Sequence, residues 1–272
     1  MQRYYPTIRK TVILLFKMIL LFFVLALPVI IKFVSTPEPE YSNLDLYYLL
    51  LVYLLAEGWI IRCAIKQMKH PAEIFNRKTN TRKTITFLPF ILSGTAALIF
   101  LTNPLQQMIP ALEKFDGLYK QVHEIKVLSF IYFIIIGPVL EEIIFRGIIM
   151  RGFLKNYTPL KAIVLSSVLF SIVHFPFSYI FTILIINFFI GFIFWQTSSL
   201  SLSITIHILG NFFVILSSDN IFFSERFDLI FSDTPVFLLL YFIAAIIFFL
   251  CIFYIYRKNV AISEVSFREE PL

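Results

Sequence analysis

Long apolar runs separated by short polar stretches organise this chain from end to end. A helix needs about 20 mostly apolar residues to cross the hydrocarbon core of a bilayer. Eight segments satisfy that pattern: 11–34, 44–65, 84–103, 127–149, 160–177, 178–197, 200–218 and 234–256. The predicted fold class is therefore all-α, a polytopic membrane protein with a bundle of about eight transmembrane helices in a single membrane domain, residues 1–272. The narrowest break lies at His174-Phe175-Pro176-Phe177. There Pro176 lacks a backbone donor and disfavours helix at Phe175. The basic stretch Met1–Lys10 precedes an apolar run too long for a signal-peptide core and without a small-residue cleavage site, so a retained first helix is expected. Residues 104–126 read as an amphipathic helix lying on the outer surface.

Composition agrees with that pattern and adds orientation. The chain is 59% hydrophobic and 15% charged, whereas soluble domains carry about 25% charge. Its net charge of +6 does not form a nucleic-acid surface, because the basic residues sit at the ends of apolar runs, as topology signals do. They gather in the N-terminus (Arg3, Arg9, Lys10), the second loop (Arg62, Lys66, Lys69, Arg77, Lys78, Arg82, Lys83) and the fourth (Arg151, Lys155, Lys161). The alternate loops carry Glu38 and Glu40, and Asp219, Glu225, Asp228 and Asp233 against Arg226. Both termini are therefore expected in the cytoplasm, with membrane lipid as the surrounding partner. Cys63 and Cys251 fall on the cytoplasmic side, where a disulfide is disfavoured.

Ionisable groups inside a bilayer cost at least about 2.5–3.5 kcal/mol each. Lys17 and Glu57 lie at matched depth on adjacent spans, which predicts a structural ion pair between them; Lys17 snorkelling alone is the alternative. A larger polar set lies in helices four, five and seven. These read Gly137-Pro138-Val139-Leu140-Glu141-Glu142-Ile143-Ile144-Phe145-Arg146-Gly147, then Phe170 to His174, then His207 to Asn211. Residues four apart share a helix face, so Glu142 stacks on Arg146 and His207 on Asn211. Glu141 is turned about 100° from Glu142, which leaves it free for chemistry while Glu142 neutralises Arg146. The Gly137-Pro138 step predicts a kink that opens room for water.

A buried carboxylate can act as general base on water. His174 could share that water, and His207 and Asn211 present donors as an oxyanion site needs. Glu141, His174 and His207 could instead hold zinc as three ligands with water in the fourth position, although no HExxH occurs. Asn187 reads as an interhelical hydrogen-bonding residue, His70 and His123 as solvated loop residues. Ser166, Ser167 and Ser171 show no spacing for a nucleophile and base.

Glu-Glu-x-x-x-Arg, Phe-x-x-x-His and His-x-x-x-Asn, in this order on separate spans, resemble the CPBP family. That family comprises CAAX proteases and bacteriocin-processing or self-immunity proteins, also called Abi. The resemblance covers about 137–211, the catalytic motif core. It implies a cytoplasm-facing cavity in an eight-helix bundle and an endopeptidase acting on a membrane-associated peptide, prenylated or bacteriocin-like. By motif matching, Glu141 would be the general base, His174 would help activate water, His207 and Asn211 would stabilise the oxyanion, and Glu142 and Arg146 would support the site. A zinc-dependent and a metal-free glutamate mechanism both remain open. The rival functions are a non-catalytic immunity or binding protein and a proton-coupled transporter, the latter disfavoured by the absence of an inverted repeat. Depth poses a problem: Glu141 falls roughly 10–12 Å from the cytoplasmic boundary and His174 nearer 20 Å, so helix five must project from the membrane or tilt.

Overall fold

The computed structural model describes residues 4–36, 40–75, 81–102, 121, 126–174, 180–218 and 234–268. Within them the chain is helical: α1 (Ile8–Leu25), α2 (Leu27–Ser35), α3 (Asn43–Ile65), a short 3-10 turn (Pro71–Ile74), α4 (Thr81–Thr102), α5 (Val127–Asn156), α6 (Pro159–Val173), α7 (Ile180–Thr197), α8 (Leu200–Ser218) and α9 (Thr234–Arg268). The all-α membrane architecture is as the apolar pattern predicts. Helices α3, α5, α7 and the Pro235–Lys258 part of α9 are long and apolar enough to cross a bilayer. Helices α1 and α2 meet that test together, bent by 68° at Ala26. Pro28 sits in the first turn of α2, where its missing N–H and fixed φ suit a helix start and not a continuing helix. The apolar parts of α4, α6 and α8 are shorter: Thr86–Thr102, Pro159–Val173 and Leu200–Phe213. The expected surface helix at 104–126 lies outside the described residues, apart from Gln121 and Lys126.

The three segments expected in the cytoplasm meet at one end of the bundle. The Tyr4 N–H donates to Asn156 Oδ1 at 3.0 Å, and Asn156 Nδ2 returns a bond to Tyr4 O at 2.8 Å. Lys155 pairs with Glu73 of the second loop at 2.6 Å. Two glycines permit these contacts. A Cβ on Gly152 would lie 2.6 Å from Pro6 N and 2.9 Å from Tyr5 O, and one on Gly147 would lie 2.9 Å from Ile74 Cγ2. Gly152→Ala therefore drives a side chain into backbone that cannot yield. It is expected to cost about 1–3 kcal/mol and to accelerate hydrogen exchange at the Tyr4 amide. At the opposite end, Ser42 and Asp45 close a capping box on α3, and Asp45 also binds Lys32 at 2.8 Å.

The expected Lys17–Glu57 pair does not form. Lys17 lies exposed on the outer face of α1, where a long side chain can reach the interface. Glu57 is buried on the inner face of α3 and accepts a hydrogen bond from Tyr132 Oη at 3.3 Å. Equal depth on neighbouring helices does not fix azimuth, and here the two residues face opposite ways. Lys17→Met is accordingly expected to shift stability by no more than about 0.5 kcal/mol in a detergent melt.

Candidate active site

Helix α5 carries the carboxylates, and its winding sets their aim. Two stretches of it, Ile131–Ile136 and Ile143–Met150, are π-helix, with Gly137–Glu142 as α-helix between them. Pro138 would clash with the carbonyl four residues back and cannot donate to it. The wider upstream turn, in which the Gly137 N–H reaches Tyr132 O, accommodates that defect. At the step where a kink is expected the winding changes, and Val127–Asn156 runs on as one helix.

The same helix resolves the depth problem. It does not end at residue 149 but continues to Asn156, and α6 begins at Pro159. Arg151 therefore lies within α5 and does not mark its end, whereas Lys155 sits in its last turn; Arg151 is buried against the Phe194 ring. Glu141 lies 16 residues before Tyr157 and His174 lies 16 after Thr158. In an antiparallel hairpin both then stand at the same height, roughly 24 Å above the turn. Helix α6 ends at Val173, four residues earlier than the pattern suggested, and His174 adopts φ −89°, ψ 82° beyond its last turn.

Three side chains converge. His174 Nε2 lies 3.5 Å from Glu141 Oε1, and His207 Nε2 lies 3.5 Å from Glu141 Oε2. The far nitrogens of both rings are anchored. His174 Nδ1 is 2.7 Å from Phe170 O; a carbonyl only accepts, so that nitrogen carries the hydrogen. His207 Nδ1 is 2.9 Å from Glu142 Oε1. Both Nε2 atoms therefore face Glu141. Phe170 organises the set from below: its ring stacks on His174 at 4.1 Å and 14°, lies 5.8 Å from the His207 ring, and receives the Arg146 guanidinium at 5.4 Å.

The second carboxylate has a different task. Glu142 Oε1 accepts from Arg146 Nη1 at 2.9 Å, and both side chains are sealed from solvent at 0% and 1% exposure. Glu141 and His174 keep 21% and 29%, so they are part-exposed while the ion pair behind them is not. Arg146 Nη2 donates to Asn187 Oδ1 at 2.7 Å and to Asn187 O at 3.0 Å. Asn187 thus satisfies Nη2 of the guanidinium, and sequence spacing held no sign of that task. Glu142 Oε2 and Arg146 Nε are buried with no hydrogen-bond partner among the described residues. Asn211 stands apart from the Glu141 contacts: its Nδ2 donates to Phe133 O at 2.9 Å, a carbonyl in the upstream π-turn.

Among the described residues no three His, Cys, Asp or Glu side chains gather as a metal-ligand set. The two imidazoles contact different oxygens of Glu141 and do not close on one point. The donors named for zinc do not fit as a ready cage, and the chemistry below uses the protein's own groups.

Residues 123–213 match the family described as Type II CAAX prenyl endopeptidase Rce1-like. The chain is 32% identical over 208 residues to the membrane-embedded CAAX protease MroQ of Staphylococcus aureus, covering 66% of this chain and 78% of that protein. The chain belongs to the CPBP family of membrane proteases. It is also 34% identical over 82 residues to the putative membrane peptidase YdiL of Bacillus subtilis, 30% of this chain and 34% of that one. No solved structure matches it. Membership of the CPBP family makes the chain an integral membrane protease whose substrate is a peptide or protein.

Proposed function

We propose that this CPBP protein is an intramembrane endopeptidase in which Glu141 is the general base. The observation that carries the reading is the placement of both Glu141 oxygens against two imidazoles whose other nitrogens are anchored. A water held between Glu141 and His174 would give its proton to the Glu141 carboxylate as its oxygen adds to the scissile carbonyl. His207, on the other side, presents its Nε2 to the same space for the developing oxyanion. As the tetrahedral species collapses, the carbon–nitrogen bond breaks and the proton passes from Glu141 to the leaving amine. The products are a new carboxylate and a new amino terminus.

Glu142, Arg146 and Asn187 act as support, since they are shut away from the opening and fix the His207 ring. Asn211 Nδ2 gives one hydrogen to Phe133 O, which holds α8 against the π-turn, and its second hydrogen would serve the oxyanion beside His207. The basic segments gathered at one end of the bundle support an opening on the cytoplasmic side, with both termini there. The substrate class is a membrane-associated peptide, prenylated or bacteriocin-like. Binding without cleavage, as in an immunity protein, would need no base with both oxygens so disposed. Purified protein in bilayer discs, offered a library of lipidated and unlipidated peptides, is expected to cleave a member of it. His174→Ala should lose about 10²-fold or more of that rate, and turnover equal to wild type would refute the reading.

A further inference from the structure

Glu57 is a buried carboxylate that neither membrane topology nor the mechanism above employs. It is 8% exposed, in the middle of an apolar helix, and the cation expected beside it points elsewhere. Its hydrogen-bond partner is Tyr132, itself 6% exposed, whose hydroxyl lies 3.3 Å from Glu57 Oε2. Tyr132 belongs to the π-turn that precedes Gly137. A Cβ built on Gly137 would lie 3.6 Å from Tyr132 Cε1 and 3.9 Å from Glu141 Oε1. The Tyr132 ring and the Glu141 carboxylate therefore border the same notch, which is open because residue 137 has no side chain.

A buried phenol must find an acceptor. With Glu57 present, its hydrogen is directed to α3. Without Glu57, a strong acceptor bordering the same notch is Glu141, and a phenol bound there would occupy an oxygen that water and the imidazoles need. We infer that Glu57 is a positioning residue of the site: it holds the Tyr132 hydroxyl away from Glu141 and the Tyr132 ring against Gly137. This rests on the reading of Glu141 as the base. Glu57 makes no hydrogen bond to a reacting atom, and in this role it acts through Tyr132.

Steady-state kinetics on a cleaved peptide test this in four variants, each checked for monodispersity and melting temperature. Glu57→Ala should lower kcat by about tenfold or more with KM unchanged. Glu57→Gln, whose carboxamide oxygen still accepts from the phenol, should stay within about threefold of wild type. Tyr132→Phe alone should be close to wild type. Added to Glu57→Ala it should restore most of the lost kcat, because the stray hydroxyl is gone. Glu57→Leu replaces the alanine variant if that one fails to fold. Full activity of the alanine or leucine variant, failure of Tyr132→Phe to restore it, or a tenfold loss in Tyr132→Phe alone would each overturn the inference. Glu141→Gln is run in parallel: if it cleaves like wild type, the reading of the base fails, whatever the Glu57 variants do.

Discussion

Glu141→Gln is expected to fold, to insert and to cleave about 10²–10⁴ times more slowly than wild type. The substitution keeps the shape of the side chain and both contacts to the histidine Nε2 atoms, at 3.5 Å each, but a carboxamide cannot take a proton from water. The loss should fall on kcat, since nothing in the geometry assigns Glu141 to binding peptide. It should come without a fall in melting temperature, because a neutral amide is cheaper to bury than a carboxylate. Initial rates on a cleaved peptide, with a detergent melt on the same preparation, check both halves. Retention of wild-type kcat would remove Glu141 from the chemistry.

The second large effect concerns stability. Arg146→Met is expected to cost about 3–5 kcal/mol, the usual consequence of stripping one partner from a buried ion pair. Glu142 would keep its His207 contact at 2.9 Å but lose the guanidinium at the same distance, and the Asn187 oxygens would lose their donor. The signature is recovery in the double variant. Glu142→Gln with Arg146→Met removes the stranded charge and should regain more than half of the loss, a coupling that a double-mutant cycle reads directly. Additive single effects would mean that the pair carries no mutual stabilisation.

Much of this site was legible because charges in hydrocarbon demand partners, and helical periodicity then limits which partners are available. The four-residue step from Glu142 to Arg146 and the 100° turn to Glu141 separate the two carboxylates from spacing alone. Features that depend on azimuth or on winding were not legible. Lys17 and Glu57 share a depth but not a face. The π-turns of α5 leave no mark beyond the Gly137-Pro138 step, yet they present Tyr132 to Glu57 and the Phe133 carbonyl to Asn211. Arg151 read as the end of a span because it is charged; the structure stacks it on Phe194 and carries the helix one and a half turns further. That extension matches His174 to Glu141 in height. Asn187 had the composition of interhelical glue, and only its contact with Arg146 reveals which group it serves.

The central claim is that Glu141 and His174 share one water-filled pocket reached from the basic end of the bundle. Cysteine labelling tests it most directly, in a chain whose Cys63 and Cys251, both free, are replaced by alanine. A small membrane-impermeant thiol reagent applied to that side is predicted to modify Glu141→Cys and His174→Cys, and to spare Leu250→Cys, which lies 61% exposed on the outer face of α9. Cysteines at 141 and 174 as unreactive as the one at 250 would contradict the account.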